Sequence, residues 1–373
     1  MGGESGTSRF LSRDNSPTVQ RFQVSTPQRD YFACIARGIL QKIRDFIPPK
    51  TGKVFVLTTR DVWDLHGSAF PAEYPVLFFP GGEQRKRIAE VEALAEQMVQ
   101  LGGDRSSLLI AVGGGIVTDI GGFLAASFMR GIPVIQVPTT LLAQVDAALG
   151  GKTGVNLVAG KNLFGAFHQP LAVLIDPDVL RTLPEREYRA GLYEIIKGGV
   201  IRDRALFEFL ESNSDAVLRL EPEAVERIIA DKVRIKAEVV TADEREGDLR
   251  RILNFGHTIG HALEAETQYK RLLHGEAVAY GMHAATDLAV RTGFLQQSIA
   301  DRIHKVVRLY GPIPSLDGIP AENLLNRLAS DKKTIQGKVH FVLPTDIGTV
   351  KVTSGLDPAV ILQSIEAGFV LSK

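Results

Sequence analysis

AVGGGIVTDIGG (residues 111–122) closes the apolar run LLIAVGGG (108–115) and opens a helical stretch. Three consecutive glycines remove every Cβ from the turn, so backbone N–H groups at a helix N-terminus can approach a pyrophosphate. The segment is not the dinucleotide fingerprint, because Thr118 stands where the third glycine of G-x-G-x-x-G belongs. Nor is it a P-loop, since no G-K-S/T follows. A tight strand–helix turn without a ligand is the other reading of these residues, with Asp119 serving only the helix dipole.

The same alternation extends to both sides. VFVLTT (54–59), VLFFP (76–80), PVIQVP (133–138) and AVLID (172–176) are short, rich in Val, Ile or Leu, and stopped by Gly, Pro or polar turns, as buried strands are. Residues 84–101 place Ile88, Val91, Leu94, Met98 and Leu101 at helical spacing and end on Gly102-Gly103, a C-cap signal. This alternation predicts a mostly parallel sheet covered on both faces. From Pro184 to about Tyr310 the character changes. Helical periodicity runs through 221–240 and 256–266, with a further apolar stripe at Leu206, Phe209, Leu210 and Val217. FVLP (341–344) followed by TDIG predicts one short strand and turn. The expected fold is α/β: an N-terminal Rossmann-like nucleotide-binding domain over 21–180 and a C-terminal all-helical metal-binding domain over 181–373.

A length of 373 residues favours two domains over one. Lys plus Arg and Asp plus Glu each total 43, which argues against a nucleic-acid partner bound by bulk charge. The single cysteine, Cys34, excludes an internal disulfide and a thiolate zinc cluster, so any metal is held by His and carboxylates. No segment has the roughly 18 uninterrupted apolar residues of a membrane span. Residues 1–20 are polar, lack a signal-peptide core and meet a myristoylation pattern poorly, with Gly6 where Ser or Thr is wanted. They are expected to form a disordered leader, and the protein to be cytoplasmic.

Two further clusters carry chemistry. In VPTTLLAQVDAALGGKTGVN (137–156), Thr139 and Thr140 leave a strand at its carboxyl end, where open α/β sheets bind ligands. Gly150-Gly151-Lys152 and Gly160-Lys161-Asn162 are two glycine–lysine turns suited to phosphate or carboxylate. NFGHTIGHALEAE places His257 and His261 at i and i+4, LLHGE supplies His274, and AGLYEIIKGG offers Glu194. Any two of these histidines with Glu194 leave open positions on a divalent ion, as catalysis requires. The spacing is not H-E-x-x-H, so a zinc-protease reading fails. A surface His pair and a plain Glu194–Lys197 ion pair at i, i+3 are the alternatives.

Together with PGGEQRK, GGGIVTDIGGFLAASFMRG, GKNLFGAFHQP, DEREGDLRRILNFGHTIGHALEA, LHGEAVAYGM and DKK, these segments resemble the sugar phosphate cyclases, most closely the 3-dehydroquinate synthase family, over about residues 50–350. The resemblance implies NAD, one divalent metal (zinc, with cobalt as an alternative), and a homodimer. By it, Glu194, His257 and His274 match the metal ligands, which leaves His261 for hydrogen bonding or proton transfer. Asp146, Lys152, Asn162, Lys197, Lys236, Arg250, Asn254 and one of Lys332 or Lys333 match substrate contacts, with Lys161 in the same loop and Arg130 lent across the dimer. Glu83, Lys86, Gly114, Gly115, Asp119, Thr139, Thr140, Thr182, Leu183 and Glu187 match cofactor contacts, shared with Lys152 and Lys161.

Three departures from the pattern stand out. Thr59-Arg60 replaces an Asp or Asn at the adenosine ribose, DAALGG replaces D-S-S-V-G-G, and Asp248 replaces a frequent glycine. The implied reaction converts 3-deoxy-D-arabino-heptulosonate 7-phosphate to 3-dehydroquinate and phosphate. Other sugar phosphate cyclases, giving a valiolone or a deoxy-inosose, and metal-dependent polyol dehydrogenases are the competing readings.

Overall fold

The structure, a computed structural model, describes residues 19–247, 249–330 and 339–371. Most of the expected leader, Asp248, Lys332 and Lys333 lie outside the described residues. Two compact units are present. One comprises residues 19–23, Asp30–Thr139 and Gly151–Val179, and the other Val24–Arg29, Thr140–Gly150 and the residues from Leu180 onward.

The first unit is built on a seven-stranded sheet among the described residues. Its strands are β1 (Gln20–Val24), β2 (Tyr31–Ile35), β3 (Val54–Thr58), β4 (Val76–Phe78), β5 (Leu108–Gly113), β6 (Val134–Pro138) and β9 (Ala172–Ile175), in the order β1-β2-β9-β6-β5-β3-β4. Every pairing from β2 across to β4 is parallel. Alternation along each strand explains the uninterrupted apolar runs. Phe55, Leu57, Leu109, Ala111 and Val134 point into one core, under α2 (Ile88–Gln100) and α3 (Gly115–Ser127). Val54, Val56, Leu108, Ile110, Ile135 and Val137 point into the opposite core, with Ile39, Leu40 and Ile43 of a 3-10 segment and partly buried residues of α1 (Arg60–His66). A sheet buried on both faces has no polar face to alternate with, and the expected architecture follows.

β3 has β4 on one side and β5 on the other, so the chain reverses its travel across the sheet there. Ligands of open α/β sheets bind beyond the carboxyl ends of the strands at such a point. The triple glycine follows β5, and Gly81-Gly82 follows β4 with φ of 84° and 85°, a region that glycine enters without steric cost. α3 packs closely on β5, because a Cβ at Gly121 would lie 2.6 Å from that of Ala111. An antiparallel hairpin, β7 (Lys152–Leu157) and β8 (Gly160–Phe167), completes this unit. The two glycine–lysine turns of the sequence therefore open two paired strands and are not isolated loops.

The second unit is helical apart from one hairpin, β10 (His340–Asp346) and β11 (Thr349–Ser354), whose first strand contains the FVLP segment. Its helices are α4 (Glu185–Arg202), α5 (Arg204–Ser212), α6 (Ser214–Leu218), α7 (Pro222–Ala242), α8 (His257–Glu266), α9 (His274–Arg291), α10 (Gln297–Leu309), α11 (Ala321–Ser330) and α12 (Pro358–Leu371). α4 and α9 are buried on nearly every side, as helices central to a core are. Any polar group they carry inward needs a partner there. Among the described residues, no helix is long and apolar enough to cross a membrane.

Candidate active site

In the second unit, Glu194 of α4, His257 at the start of α8 and His274 at the start of α9 bring one ligand atom each to within 4.8 Å of one another. Both imidazole Nε2 atoms face Glu194 Oε1, at 3.5 Å from His257 and 4.0 Å from His274. The far sides of both rings are occupied. His257 Nδ1 lies 3.1 Å from the Phe255 carbonyl, and His274 Nδ1 lies 3.2 Å from Glu264 Oε2. Carbonyl and carboxylate only accept, so Nδ1 carries the hydrogen in each neutral ring and the Nε2 lone pair points at the cluster.

The residues fit a divalent cation. Both oxygens of Glu194 are buried and accept no aligned hydrogen bond from the described residues, a cost that a cation removes. The expected Glu194–Lys197 pair is also present, at 2.6 Å, as a charge contact beside the cluster and not in place of it. Burial, followed by Lys197, His274 and His261, holds the His257 pKa far below its ordinary value, so this ring is neutral and ready to ligate. Burial also disfavours charge on His274, but the Glu264 hydrogen bond and the Glu264 and Glu194 carboxylates raise its pKa overall. A cation at Nε2 would displace that proton. His261 packs its ring 5.2 Å from His257 and 5.9 Å from His274, and with Glu264 and His274 it forms an overlapping ligand group.

Cations surround this cluster. Lys197 Nζ donates to the Leu253 carbonyl at 2.7 Å. From α7, Lys236 Nζ donates to Asp146 Oδ1 at 2.6 Å and to the Asp146 carbonyl at 2.8 Å. One turn earlier on the same face, Lys232 is fully buried, 3.7 Å from Asp146 Oδ1 and 3.9 Å from Glu194 Oε2. Its stem passes over Gly198, where a Cβ would sit 2.7 Å from Lys232 Cδ. Arg250 is buried, with Nη1 donating to the Glu244 carbonyl at 2.6 Å, and Asn254 ends the same 3-10 segment.

Sequence reasoning missed Lys232 and Glu264. The signals were a second lysine four residues before Lys236, and a carboxylate two helical turns after His257 on one face. Glu264→Gln is expected to weaken zinc binding roughly 10- to 100-fold, as outer-shell losses do. Zinc titration against a competing chelator measures it, and unchanged affinity would remove Glu264 from this role.

The Asp146–Lys236 pair also sets a pH dependence. Burial favours the neutral acid at Asp146, but Lys236, Lys232 and Lys197 together hold its pKa well below the usual range. Burial, helped by Lys232 and Arg250 and opposed by the pull of Asp146, lowers the Lys236 pKa from 10.5 to about 7. Between about pH 7 and 10.5 the unfolded chain thus binds more protons at this lysine than the folded one. The contribution of the group to stability rises with pH across that window. Its ammonium, and the affinity for anions that depends on it, declines over the same range. Inorganic phosphate binding by the wild type is expected to weaken as pH rises through about 7, and to do so less in Lys236→Met. Parallel curves for the two would exclude Lys236 as the titrating group.

The first unit collects most of the expected cofactor contacts. Lys86, buried, pairs with Asp119 and donates to Asn162 Oδ1 at 2.6 Å. Lys161 lies 3.7 Å from Glu83. Asp119 sits in the second turn of α3 and meets Lys86, so it does not cap the helix. Gly114 holds the N-cap position and Gly115 begins α3; with no side-chain cap, the first-turn N–H groups suit an anion such as a pyrophosphate. Thr139 follows β6 and donates its N–H to the Gly113 carbonyl at 2.9 Å. Lys152 opens β7 and is exposed, as is Arg130 in the turn after α3. Thr140, Thr182, Leu183 and Glu187 belong to the second unit. Burial, then Glu276, raises the Glu187 pKa. At the departure Thr59-Arg60, the guanidinium stacks over Phe78, 3.6 Å from the ring centroid.

Family models described as 3-dehydroquinate synthase N-terminal and 3-dehydroquinate synthase C-terminal match residues 76–190 and 191–334. The chain is 62% identical over 351 residues to a 3-dehydroquinate synthase of Solibacter usitatus (strain Ellin6076), covering 93% of this chain and 98% of that protein. Among solved structures, it resembles a 2-epi-5-epi-valiolone synthase from Streptomyces hygroscopicus subsp. jinggangensis 5008 with NAD+ and Zn2+ bound, at TM-score 0.84 and 28% identity over 92% of this chain and 98% of that one. It also resembles a 2-deoxy-scyllo-inosose synthase complexed with carbaglucose-6-phosphate, NAD+ and Co2+, at TM-score 0.83 and 27% identity over 93% and 99% of the two chains. These matches run through the glycine turn and through the three helices that carry Glu194, His257 and His274, and the chain belongs to the 3-dehydroquinate synthase family.

Proposed function

We propose that this chain converts 3-deoxy-D-arabino-heptulosonate 7-phosphate to 3-dehydroquinate and phosphate. The observation that carries the reading is the Glu194–His257–His274 cluster set among Lys197, Lys232, Lys236 and Arg250. That density of buried cations suits a substrate with a phosphate at one end and a carboxylate at the other, and exceeds what a neutral polyol needs. Glu194, His257 and His274 hold the divalent ion. Glu83, Lys86, Gly114, Gly115, Asp119, Thr139, Thr140, Thr182, Leu183 and Glu187 hold NAD, with Lys152 and Lys161. When bound, NAD takes and returns a hydride at the substrate C5, and the divalent ion polarises the oxygen there.

The chain's own groups do the rest. The Lys197 ammonium favours negative charge building on that oxygen. Arg250 takes the carboxylate in its fork, with Asn254 beside it, while Lys236, Lys152, Lys161, Asn162 and Lys333 grip the remaining anionic and hydroxyl groups. Asp146, kept ionised by its lysines, and His261 accept and return protons. Arg130 is lent to a second copy of the chain in a homodimer, and the enzyme works in the cytoplasm. The carboxylate-binding fork favours this substrate over those of the valiolone and inosose cyclases.

Incubation of zinc-loaded enzyme with the heptulosonate phosphate and a trace of NAD is expected to release one phosphate per substrate without net NADH. A chelator should stop the release and zinc should restore it. Absence of phosphate release from metal-loaded enzyme refutes the reading, and steady NADH accumulation with a simple polyol would favour a dehydrogenase.

A further inference from the structure

Hairpin β7–β8 is irregular at one position. Its pairing shifts between Val155 and Leu157, so Asn156 sits at the irregularity, and the residue is 7% exposed. Val155 pairs with Phe164 and Leu157 with Gly160, so the extra residues, Asn162 among them, lie on β8 and bulge opposite Asn156. Here the buried amide uses both of its ends. Nδ2 donates to Glu83 Oε1 at 2.6 Å and to the Glu83 carbonyl at 3.2 Å, while Oδ1 accepts the backbone N–H of Asn162 at 2.9 Å. The backbone N–H of Asn156 donates to the Lys86 carbonyl at 2.8 Å. One side chain thus ties the turn after β4 to the start of β8. Asn162, at φ 55°, turns its own Oδ1 to Lys86 Nζ, which also meets Asp119.

We propose that Asn156 is a positioning residue for the NAD site: it orients the Glu83 carboxylate and, through Asn162, the Lys86 ammonium. The inference rests on the assignment of Glu83 and Lys86 to the cofactor. Asn suits the place because it donates to a carboxylate at one end and accepts an N–H at the other. Aspartate would keep the acceptor for Asn162 but set a second carboxylate against Glu83. Alanine would release both turns.

The test measures NAD affinity by calorimetry, KM for the sugar phosphate, kcat and melting temperature on the zinc-loaded enzyme. Asn156→Asp is expected to weaken NAD binding roughly 10- to 100-fold, the worth of a hydrogen bond to a charged group. The sugar phosphate KM should change far less, since the link to Asn162 survives. Asn156→Ala should impair both. The double variant Asn156→Asp with Glu83→Gln exchanges amide and carboxylate at unchanged net charge. It should bind NAD more tightly than Asn156→Asp alone, a rescue that a merely structural residue would not show.

Wild-type NAD affinity in Asn156→Asp overturns the inference. So do equal losses in NAD affinity, KM and kcat that track a lowered melting temperature. If Asn156→Asp does not fold, the comparison of Asn156→Ala with the double variant decides by the same criteria. Glu83→Gln alone binding NAD like the wild type would instead remove Glu83 from the cofactor site, and the inference with it.

Discussion

Glu194→Gln loses its divalent ion: metal analysis of the purified variant is expected to find roughly a tenth of the wild-type content or less. kcat/KM for the sugar phosphate should fall about a thousandfold or more, beyond the 10- to 100-fold of outer-shell changes. The amide keeps the shape of the carboxylate and removes its charge. Lys197 and Lys232, both buried, lie 2.6 and 3.9 Å from Oε2, so the substitution leaves two ammonium groups with one fewer anion. Breaking a buried pair in this way costs about 3–5 kcal/mol, which should appear as a lowered melting temperature. His257→Ala separates the two effects. Its ring is neutral, held so by burial and the nearby Lys197, and truncation removes a ligand without orphaning a charge. It should lose metal while melting closer to the wild type. Full metal occupancy in either variant would refute the ligand set.

Arg250→Ala is expected to raise KM for the sugar phosphate about 100-fold or more while the zinc content stays intact, since charge-assisted bidentate pairs are among the strongest polar contacts. Arg250 is one of the largest buried side chains of the molecule, at 2% exposure. Its backbone N–H donates to Asp243 Oδ2 at 3.0 Å, and its Nη1 donates to the Glu244 carbonyl at 2.6 Å. Nη2 lies against Gly150, at φ 93°, where a Cβ would stand 2.6 Å away. Arg250→Lys keeps the charge without the fork and should fall between the two, at roughly tenfold. Loss of metal from Arg250→Ala would place the residue in the metal centre instead.

Parts of this architecture are legible without coordinates. The runs at 54–59, 76–80, 108–115, 133–138 and 172–176 coincide with β3, β4, β5, β6 and β9, because strands covered on both faces carry apolar residues at nearly every position. β7–β8 did not stand out. Its glycines read as turn punctuation, whereas Gly154 pairs with Gly165 across the hairpin and a Cβ at Gly165 would lie 2.0 Å from the Thr153 carbonyl oxygen. β1 escaped notice because its alternation is short, with only Phe22 and Val24 apolar among Gln20, Arg21 and Gln23. The balance of 43 cations against 43 anions similarly conceals the cluster around Asp146 and Glu194.

By itself the sequence determined the layered sheet, the helical second half and the pool of candidate ligands, since periodicity and residue chemistry are local properties of a chain. The tertiary structure alone decided that His257 and His274 aim Nε2 at Glu194 while Glu264 holds the far side of His274. It also decided that Lys232 runs inward over Gly198, and that Asn156 joins two turns. Convergence of side chains from α4, α7, α8 and α9 depends on how helices pack, and spacing along the chain carries no information about that angle or distance.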